Sequence, residues 1–310
     1  MKNLISLGEG NTPLIRLNNI EKLLLWKGEI LAKAEYQNPT GSFKDRGSVT
    51  EVAEALKKGK RGIVCASTGN MAASLASYST KAKVKCLVVC PNITPENKLK
   101  QAILCGARLI KIKGSYDLCV EKAKKISVKE DLLLCGDYEL RRFGQRSLGR
   151  ELAESNIKFD AFIVPVGNGT LGCSIIEGFI EKGKCPKFIG VQGKGADPLA
   201  QAWKKNYSTF QPIRQPKTIA SAMKVGNPLD GKLTLAWVRK TNGLLLSVDN
   251  KEILKAQKLL AEKEGIFVET SAAATLAGLV KKLQSNIKLE QTKKLTVVLI
   301  LTGSGLKESI

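Results

Sequence analysis

Residues 38–47 read Asn-Pro-Thr-Gly-Ser-Phe-Lys-Asp-Arg-Gly, and this stretch marks a change from a strand pattern to a helix pattern. The run at 30–36 predicts a strand before it, and Pro39 and Gly41 predict a turn. Lys44 then opens a helical segment, a position where α/β proteins place functional groups. An amine held there can act as a nucleophile that forms a Schiff base. From this stretch alone, the alternative interpretation is that Lys44 is an ordinary surface lysine at the start of a helix.

Outside this stretch, apolar runs rich in β-branched residues alternate with segments of helical periodicity. The predicted strands lie at 30–36, 62–65, 85–90, 108–113, 132–135, 161–166, 188–192, 244–248 and 295–301. Because most of these runs are apolar almost throughout, they predict parallel sheets covered by helices on both faces. The number of strands and the chain length predict an α/β fold with two three-layer parallel-sheet units.

Composition limits the classes of function. The chain has 310 residues, 43% of them hydrophobic, with no apolar run long enough to span a membrane and no secretory signal pattern. A cytoplasmic protein without membrane contact is therefore expected. The net charge is +22, but basic residues are spread along the chain and only 5% of residues are aromatic. Without a basic-aromatic stripe, no nucleic-acid partner is expected.

Histidine is absent, and the eight cysteines are scattered without a Cys-x-x-Cys pair. Catalytic triads that depend on histidine and histidine-metal sites are therefore excluded, and no metal site is predicted. Buried free thiols in a reducing compartment are the expected state of the cysteines.

Three further polar turns follow predicted strands. Residues 66–70 read Ala-Ser-Thr-Gly-Asn, which indicates a helix cap or a turn that binds a carboxylate. Residues 167–170 read Gly-Asn-Gly-Thr before a helix, which favours a phosphate. Residues 301–307 read Leu-Thr-Gly-Ser-Gly-Leu-Lys. This segment indicates either a polar turn that ends the fold or a hydroxyl that bonds a ring nitrogen. An amine, a phosphate turn, a carboxylate turn and a hydroxyl together suit pyridoxal phosphate.

These motifs resemble, in order, those of the threonine synthases among the fold-type II pyridoxal-phosphate enzymes. The matching segments lie at 9–14, 38–47, 67–70, 100–107, 164–168, 226–228, 265–272 and 301–307. The resemblance covers nearly the whole chain and implies an active site in the cleft between the two units. It also implies a larger cofactor-binding domain of residues 1–46 and 138–310, a smaller mobile substrate-side domain of residues 47–137, and a homodimer.

The resemblance assigns roles by position. Lys44 would form the Schiff base with the cofactor and move protons, Asn70 would bind the phenolic oxygen, and Thr302 would bind the ring nitrogen. The implied phosphate-binding residues are Gly167, Asn168, Gly169, Thr170 and Leu171. The implied substrate-binding residues are Ser67 and Thr68 for the carboxylate and Arg141 for the phosphate.

The implied activity converts a small anionic amino acid, O-phosphohomoserine, and water into threonine and phosphate. Two departures from the family pattern remove polar donors: Met71 replaces a threonine, and Cys135-Gly136 replaces an Asn-Ser pair. A threonine or serine dehydratase-like lyase, or a phosphoserine-using β-replacement enzyme of the same fold, therefore stays open. A non-catalytic amino-acid or nucleic-acid binding protein that kept the fold is a third hypothesis.

Overall fold

The computed structural model describes residues 2–284 and 294–308 of the chain, which divides into two compact units. The small-sheet unit comprises Met1–Gly10, Gln37–Gln145 and Lys307–Ile310, and the large-sheet unit comprises Asn11–Tyr36 and Arg146–Leu306. These compact units are defined by contacts within the chain and not by motion or by ligand binding. The domain boundaries expected from the motifs therefore stay a prediction.

Strands and helices alternate through most of the described chain. The strands are β1 Leu14–Arg16, β2 Glu29–Lys33, β3 Gly62–Ala66, β4 Lys85–Pro91, β5 Arg108–Ile112, β6 Leu133–Cys135, β7 Ala161–Pro165, β8 Lys187–Gly193, β9 Leu244–Val248 and β10 Thr296–Ile300. The helices are α1 Lys2–Ile5, α2 Asn18–Leu23, α3 Lys44–Lys57, α4 Asn70–Lys81, α5 Glu96–Leu104, α6 Tyr116–Glu130, α7 Glu139–Glu154, α8 Thr170–Ile180, α9 Pro198–Lys204, α10 Gly231–Lys240, α11 Asn250–Glu264 and α12 Thr270–Gln284.

The small-sheet unit is built on a parallel sheet in the order β5-β4-β3-β6. Every residue of β3 is buried, because helices cover both faces of the strand. Ile63 and Cys65 pack with α3, α4 and α5 on one face, while Val64 and Ala66 pack with α6 on the other. This two-sided burial is the reason that the strand sequence is apolar throughout.

The large-sheet unit is built on a sheet in the order β1-β2-β10-β7-β8-β9. One face packs against α2, α11 and α12. On the other face, the ring of Phe162 stacks on Phe179 and Phe188, with centroids 6.0 and 4.9 Å away. Strand β10, the last strand along the chain, lies between β2 and β7 and is parallel to both.

The predicted α/β fold with two parallel-sheet units is confirmed, and the bounds of most predicted strands agree within one or two residues. One strand differs in kind. Strand β1 pairs antiparallel to β2 at the edge of the large sheet, and the sequence did not predict it because three residues are too few to show a periodicity. Within residues 2–284 and 294–308, no helix has the length and apolar character needed to cross a membrane.

Candidate active site

Each sheet contains one topological switch point, where successive strands stop adding on one side and begin on the other. In the small sheet the chain runs outward from β3 through β4 to β5, and β6 then returns to the free side of β3. Ligands of open α/β sheets bind outside the carboxyl ends of the strands at such a point. In this sheet the relevant loops are 67–69 after β3 and 136–138 after β6.

The large sheet has the same arrangement around β7. The chain runs outward through β8 to β9, and β10 returns to the free side of β7, with Leu299 paired to Ile163. The loops at this point are 166–169 after β7 and 301–304 after β10. The glycine turn and Thr302, which are far apart in the sequence, therefore follow neighbouring parallel strands.

The turn before α3 is held by a buried carboxylate. Asp45 accepts hydrogen bonds from the backbone N–H of Thr40, 2.8 Å away, and from the hydroxyls of Thr40 and Ser74. Burial raises the pKa of Asp45, and the hydrogen bonds from Ser74 and Thr40 oppose that change. Asp45 thus ties the start of α3 to α4 and fixes the backbone that presents Lys44.

The Lys44 ammonium lies at the small-sheet switch point. Its Nζ is 2.9 Å from Oδ1 of Asp137, which belongs to the loop after β6, and 4.8 Å from the centroid of the Phe43 ring. Both charged side chains are 17% exposed, so the pair is accessible to a ligand. The structure thereby brings the candidate nucleophile to the carboxyl ends of β3 and β6.

Arg141, by contrast, is fully buried and engaged within the protein. Its guanidinium donates to the carbonyl oxygens of Gly136, 3.1 Å away, and Lys44, 3.3 Å away. It also donates to the Ser48 hydroxyl and to the Glu51 carboxylate. Burial raises the pKa of Glu51 to about 6, although the Arg141 charge opposes this shift. In this arrangement Arg141 stabilises the wall of the site, and its role as a phosphate ligand stays a prediction.

The polar turn at 67–70 combines a helix cap with half-buried polar groups. Ser67 Oγ accepts a hydrogen bond from the backbone N–H of Ala72 at 3.1 Å, so this hydroxyl caps the start of α4. Thr68 and Asn70 are half-buried. Asn70 Oδ1 accepts a hydrogen bond from Lys307 Nζ at 3.3 Å. The turn therefore provides the predicted polar groups, and one of them has a charged partner.

The glycine turn after β7 has the features of an anion site. Gly169 has a φ of +89°, and a Cβ on it would lie 2.2 Å from Thr234 Oγ1. Thr170 Oγ1, at the start of α8, is buried without a hydrogen-bond partner among the described residues. The first backbone N–H groups of a helix also lack intrahelical partners, and the helix dipole favours negative charge there. Leu171 is buried, so it offers its backbone rather than its side chain.

Thr302 is buried and has a carboxylate partner. Its hydroxyl donates to Glu269 Oε1 at 3.1 Å. The backbone holds the two segments together, since the N–H of Glu269 donates to the Gly303 carbonyl at 3.0 Å. A Cβ on Gly303 would lie 2.5 Å from the Glu269 carboxyl carbon, so a larger residue there would displace the carboxylate that accepts the Thr302 hydrogen bond.

Comparison with known proteins identifies the family. The family model described as "Pyridoxal-phosphate dependent enzyme" matches residues 5–303. The chain belongs to this family of pyridoxal-phosphate dependent enzymes. Its members carry out their chemistry on a cofactor with an aldehyde, a phosphate, a phenolic oxygen and a ring nitrogen, and the polar groups at the two switch points correspond to that set.

Named relatives of this pyridoxal-phosphate enzyme cover almost all of its length. The threonine synthase of Methanocaldococcus jannaschii is 39% identical over 98% of this chain and 77% of its own. The threonine synthase of Halalkalibacterium halodurans is 39% identical over 98% of this chain and 85% of its own.

Solved structures share the fold. Maize serine racemase superposes with a TM-score of 0.85 at 22% identity, over 96% of this chain and 88% of its own, which shows the fold alone. Serine racemase of Dictyostelium discoideum superposes with a TM-score of 0.79 at 26% identity, over 95% of this chain and 92% of its own. The predicted membership of the fold-type II enzymes is thereby confirmed.

The residues present fit pyridoxal phosphate, which is the cofactor of this enzyme. The unpartnered hydroxyl of Thr170 and the left-handed turn at Gly169 suit a phosphate at a helix N-terminus. Lys44 offers an accessible amine for the aldehyde. When bound, the cofactor supplies an electron sink for negative charge at the substrate's Cα.

Four charged residues of the site were not assigned a role from the sequence: Glu51, Asp137, Glu269 and Lys307. Glu51 had a detectable signal, because Lys44, Ser48 and Glu51 follow an i, i+4, i+7 spacing on one face of α3. Glu269 and Lys307 lie inside motif segments and Asp137 follows the Cys135-Gly136 departure, but the partners of all three are distant in the sequence. Their pairings therefore depend on the tertiary structure.

Proposed function

We propose that this protein is a threonine synthase, which converts O-phosphohomoserine and water into threonine and phosphate. The observation that carries the proposal is the accessible Lys44 amine at a switch point lined by the predicted Ser67–Asn70 turn. Relatives named threonine synthase at 39% identity over nearly the whole chain support this reaction over others that share the fold.

The residues divide the work between binding and proton movement. The backbone of 167–171 and the Thr170 hydroxyl hold the cofactor phosphate, while Asn70 and Thr302 orient the ring. Lys44 Nζ takes the proton from the substrate's Cα and returns it at the end, since it is the amine at the reacting centre. Asp137, 2.9 Å from this nitrogen, orients the side chain between these steps. Ser67 and Thr68 bind the substrate carboxylate.

A second candidate is a threonine or serine dehydratase-like lyase, or a phosphoserine-using β-replacement enzyme. The state of Arg141 favours the dehydratase in particular, because its guanidinium is buried and bonded to Glu51 instead of facing a ligand. In addition, the departures at Met71 and Cys135-Gly136 leave fewer donors for a substrate phosphate. A dehydratase needs no such cation, because its substrate carries an uncharged hydroxyl.

A side-by-side assay separates the two candidates. The protein saturated with pyridoxal phosphate is given O-phosphohomoserine, O-phosphoserine, threonine or serine, and phosphate, oxoacids and threonine are measured. A threonine synthase releases phosphate from O-phosphohomoserine and forms threonine in equal amount. Formation of an oxoacid from threonine or serine, without threonine synthesis, would identify the dehydratase. Release of phosphate only from O-phosphoserine would identify the β-replacement enzyme. Failure to bind the cofactor would contradict both.

The expected surroundings of the enzyme follow from the same proposal. The substrate is an amino acid with an anionic side chain, and the +22 net charge helps to attract it. We infer a homodimer in the cytoplasm, with neither nucleic acid nor membrane as a partner. Size-exclusion chromatography with light scattering tests the dimer.

A further inference from the structure

The last described turn of the chain brings a lysine to the small-sheet unit. After β10, residues Gly305–Lys307 form one 3-10 turn, and Lys307 belongs to the small-sheet unit. Its Nζ lies 3.3 Å from Oδ1 of Asn70, the first residue of α4. The two residues are 237 positions apart in the sequence, so this contact is a feature of the folded chain.

The chemistry of this pair decides which way the amide of Asn70 faces. The two ends of an asparagine amide have nearly the same shape, and hydrogen-bond partners determine their orientation. A lysine ammonium has three donors and no acceptor. It can therefore bond only the amide oxygen, which turns Nδ2 of Asn70 away from Lys307 as a donor.

Lys307 is also part of the electrostatic surroundings of the Lys44 turn. Burial raises the pKa of Asp45, and the positive charge of Lys307 is among the influences that lower it. Asp45 in turn accepts hydrogen bonds from Thr40 and Ser74. Lys307 thus lies near both the turn that presents Lys44 and the turn that presents Asn70.

We propose that Lys307 is a positioning residue that holds the Asn70 amide with Nδ2 towards the phenolic oxygen of pyridoxal phosphate. The proposal rests on the cofactor role of Asn70 in the proposed function. A phenolic oxygen that carries negative charge requires a donor. With the amide reversed, Oδ1 of Asn70 would face the phenolic oxygen of the cofactor. The cofactor would then bind less tightly, and the phenolic oxygen would keep its proton more strongly.

The test uses the full-length protein stripped of cofactor and titrated with pyridoxal phosphate. Lys307→Met keeps much of the side-chain length but removes the donors, and Lys307→Arg keeps a donor-only side chain. We expect Lys307→Met to weaken cofactor binding roughly tenfold, the effect of about one hydrogen bond. We also expect absorbance to move from the visible to the near-ultraviolet band, because the proton then stays on the phenolic oxygen. Lys307→Arg should keep both the wild-type affinity and the wild-type absorbance.

A double-mutant cycle distinguishes positioning from simple support of the fold. In an Asn70→Ala background, Lys307→Met should change neither affinity nor absorbance further, because the amide that it orients is gone. Lys122→Met, at an exposed lysine of α6, is the matched control and should leave both unchanged.

The outcomes separate this inference from the proposed function. Independent, additive effects of the two substitutions, or an unchanged spectrum in Lys307→Met, would overturn the positioning role while the cofactor site stands. Wild-type protein that binds no pyridoxal phosphate would overturn the proposed function and this inference together.

Discussion

Among single residues, Lys44 is positioned by partners that are distinct from the amine that reacts. The buried Asp45 fixes the backbone at the start of α3, and Asp137 holds the Nζ end of the Lys44 side chain. A long, flexible side chain loses entropy when it is ordered, so a partner at each end of this segment keeps the amine in place before a ligand arrives.

Replacement of Lys44 by alanine tests the amine directly. The variant is expected to lose the visible absorbance of the bound cofactor, because no other group at that position can form the covalent link. Threonine formation should fall by about 10²–10⁴-fold or more, since the group that moves the Cα proton is also removed. Absorbance spectra and steady-state rates measure both effects.

Lys57→Ala is the control for that experiment. Lys57 is exposed at the end of the same helix, so it shares the secondary structure of Lys44 but not its surroundings. Its spectrum and rate should match those of the wild-type protein. Full absorbance in Lys44→Ala would show that another amine carries the cofactor.

At the scale of elements, the turn between β7 and α8 requires a glycine at position 169 for two separate reasons. Gly169 needs the left-handed region of the backbone, and it also leaves no space for a Cβ beside Thr234. The turn can therefore approach α10 closely, and it precedes the first N–H groups of α8, where we propose that the cofactor phosphate binds.

Gly169→Ala is expected to impair both stability and cofactor binding. The left-handed backbone alone costs about 1–2 kcal/mol for a residue with a Cβ. The contact at 2.2 Å forces a further displacement, which adds about 1–3 kcal/mol. Urea denaturation measures the stability, and titration with pyridoxal phosphate measures the affinity.

Gly183→Ala provides the matched comparison. Gly183 has a φ of +70°, but none of the described atoms lies within 4 Å of the position that a Cβ would occupy there. It should show the backbone cost alone and leave cofactor binding unchanged. Equal losses in the two variants would mean that the close approach to Thr234 contributes nothing.

The elements show what the sequence could and could not predict. Strands β3, β4 and β7 were predictable because burial on both faces requires continuous apolar runs. The turn at 167–170 was predictable because glycines follow an apolar run and precede a helical segment, while its role in binding an anion stays a prediction. The pairing of Arg141 with Glu51 was not, because 90 positions separate them and no local pattern links them. Lys307 and Glu269 escaped assignment for the same reason.

At the scale of the whole molecule, the stability should depend on a carboxyl group close to the site. Burial raises the pKa of Glu51 from 4.5 to about 6. The folded protein therefore binds this proton more tightly than the unfolded chain does. The free energy of unfolding should fall as the pH rises from about 4.5 to 6, by roughly 2 kcal/mol from this group.

Glu51→Gln removes that contribution, since glutamine does not titrate. Urea denaturation of both proteins between pH 4.5 and 7 gives the test. The wild-type profile should decline relative to that of the variant up to about pH 6 and run nearly parallel to it as the pH approaches 7. Parallel profiles throughout would show that Glu51 has the same pKa in the folded and unfolded states.

The position of β10 also determines when the large sheet can be completed during synthesis. This strand is synthesised after the other nine described strands, yet it lies inside the large sheet between β2 and β7. Until residues 296–300 have been synthesised, β2 and β7 each lack one neighbouring strand. The large sheet can therefore be completed only once β10 has left the ribosome, and the nascent chain exposes unpaired strand edges until then.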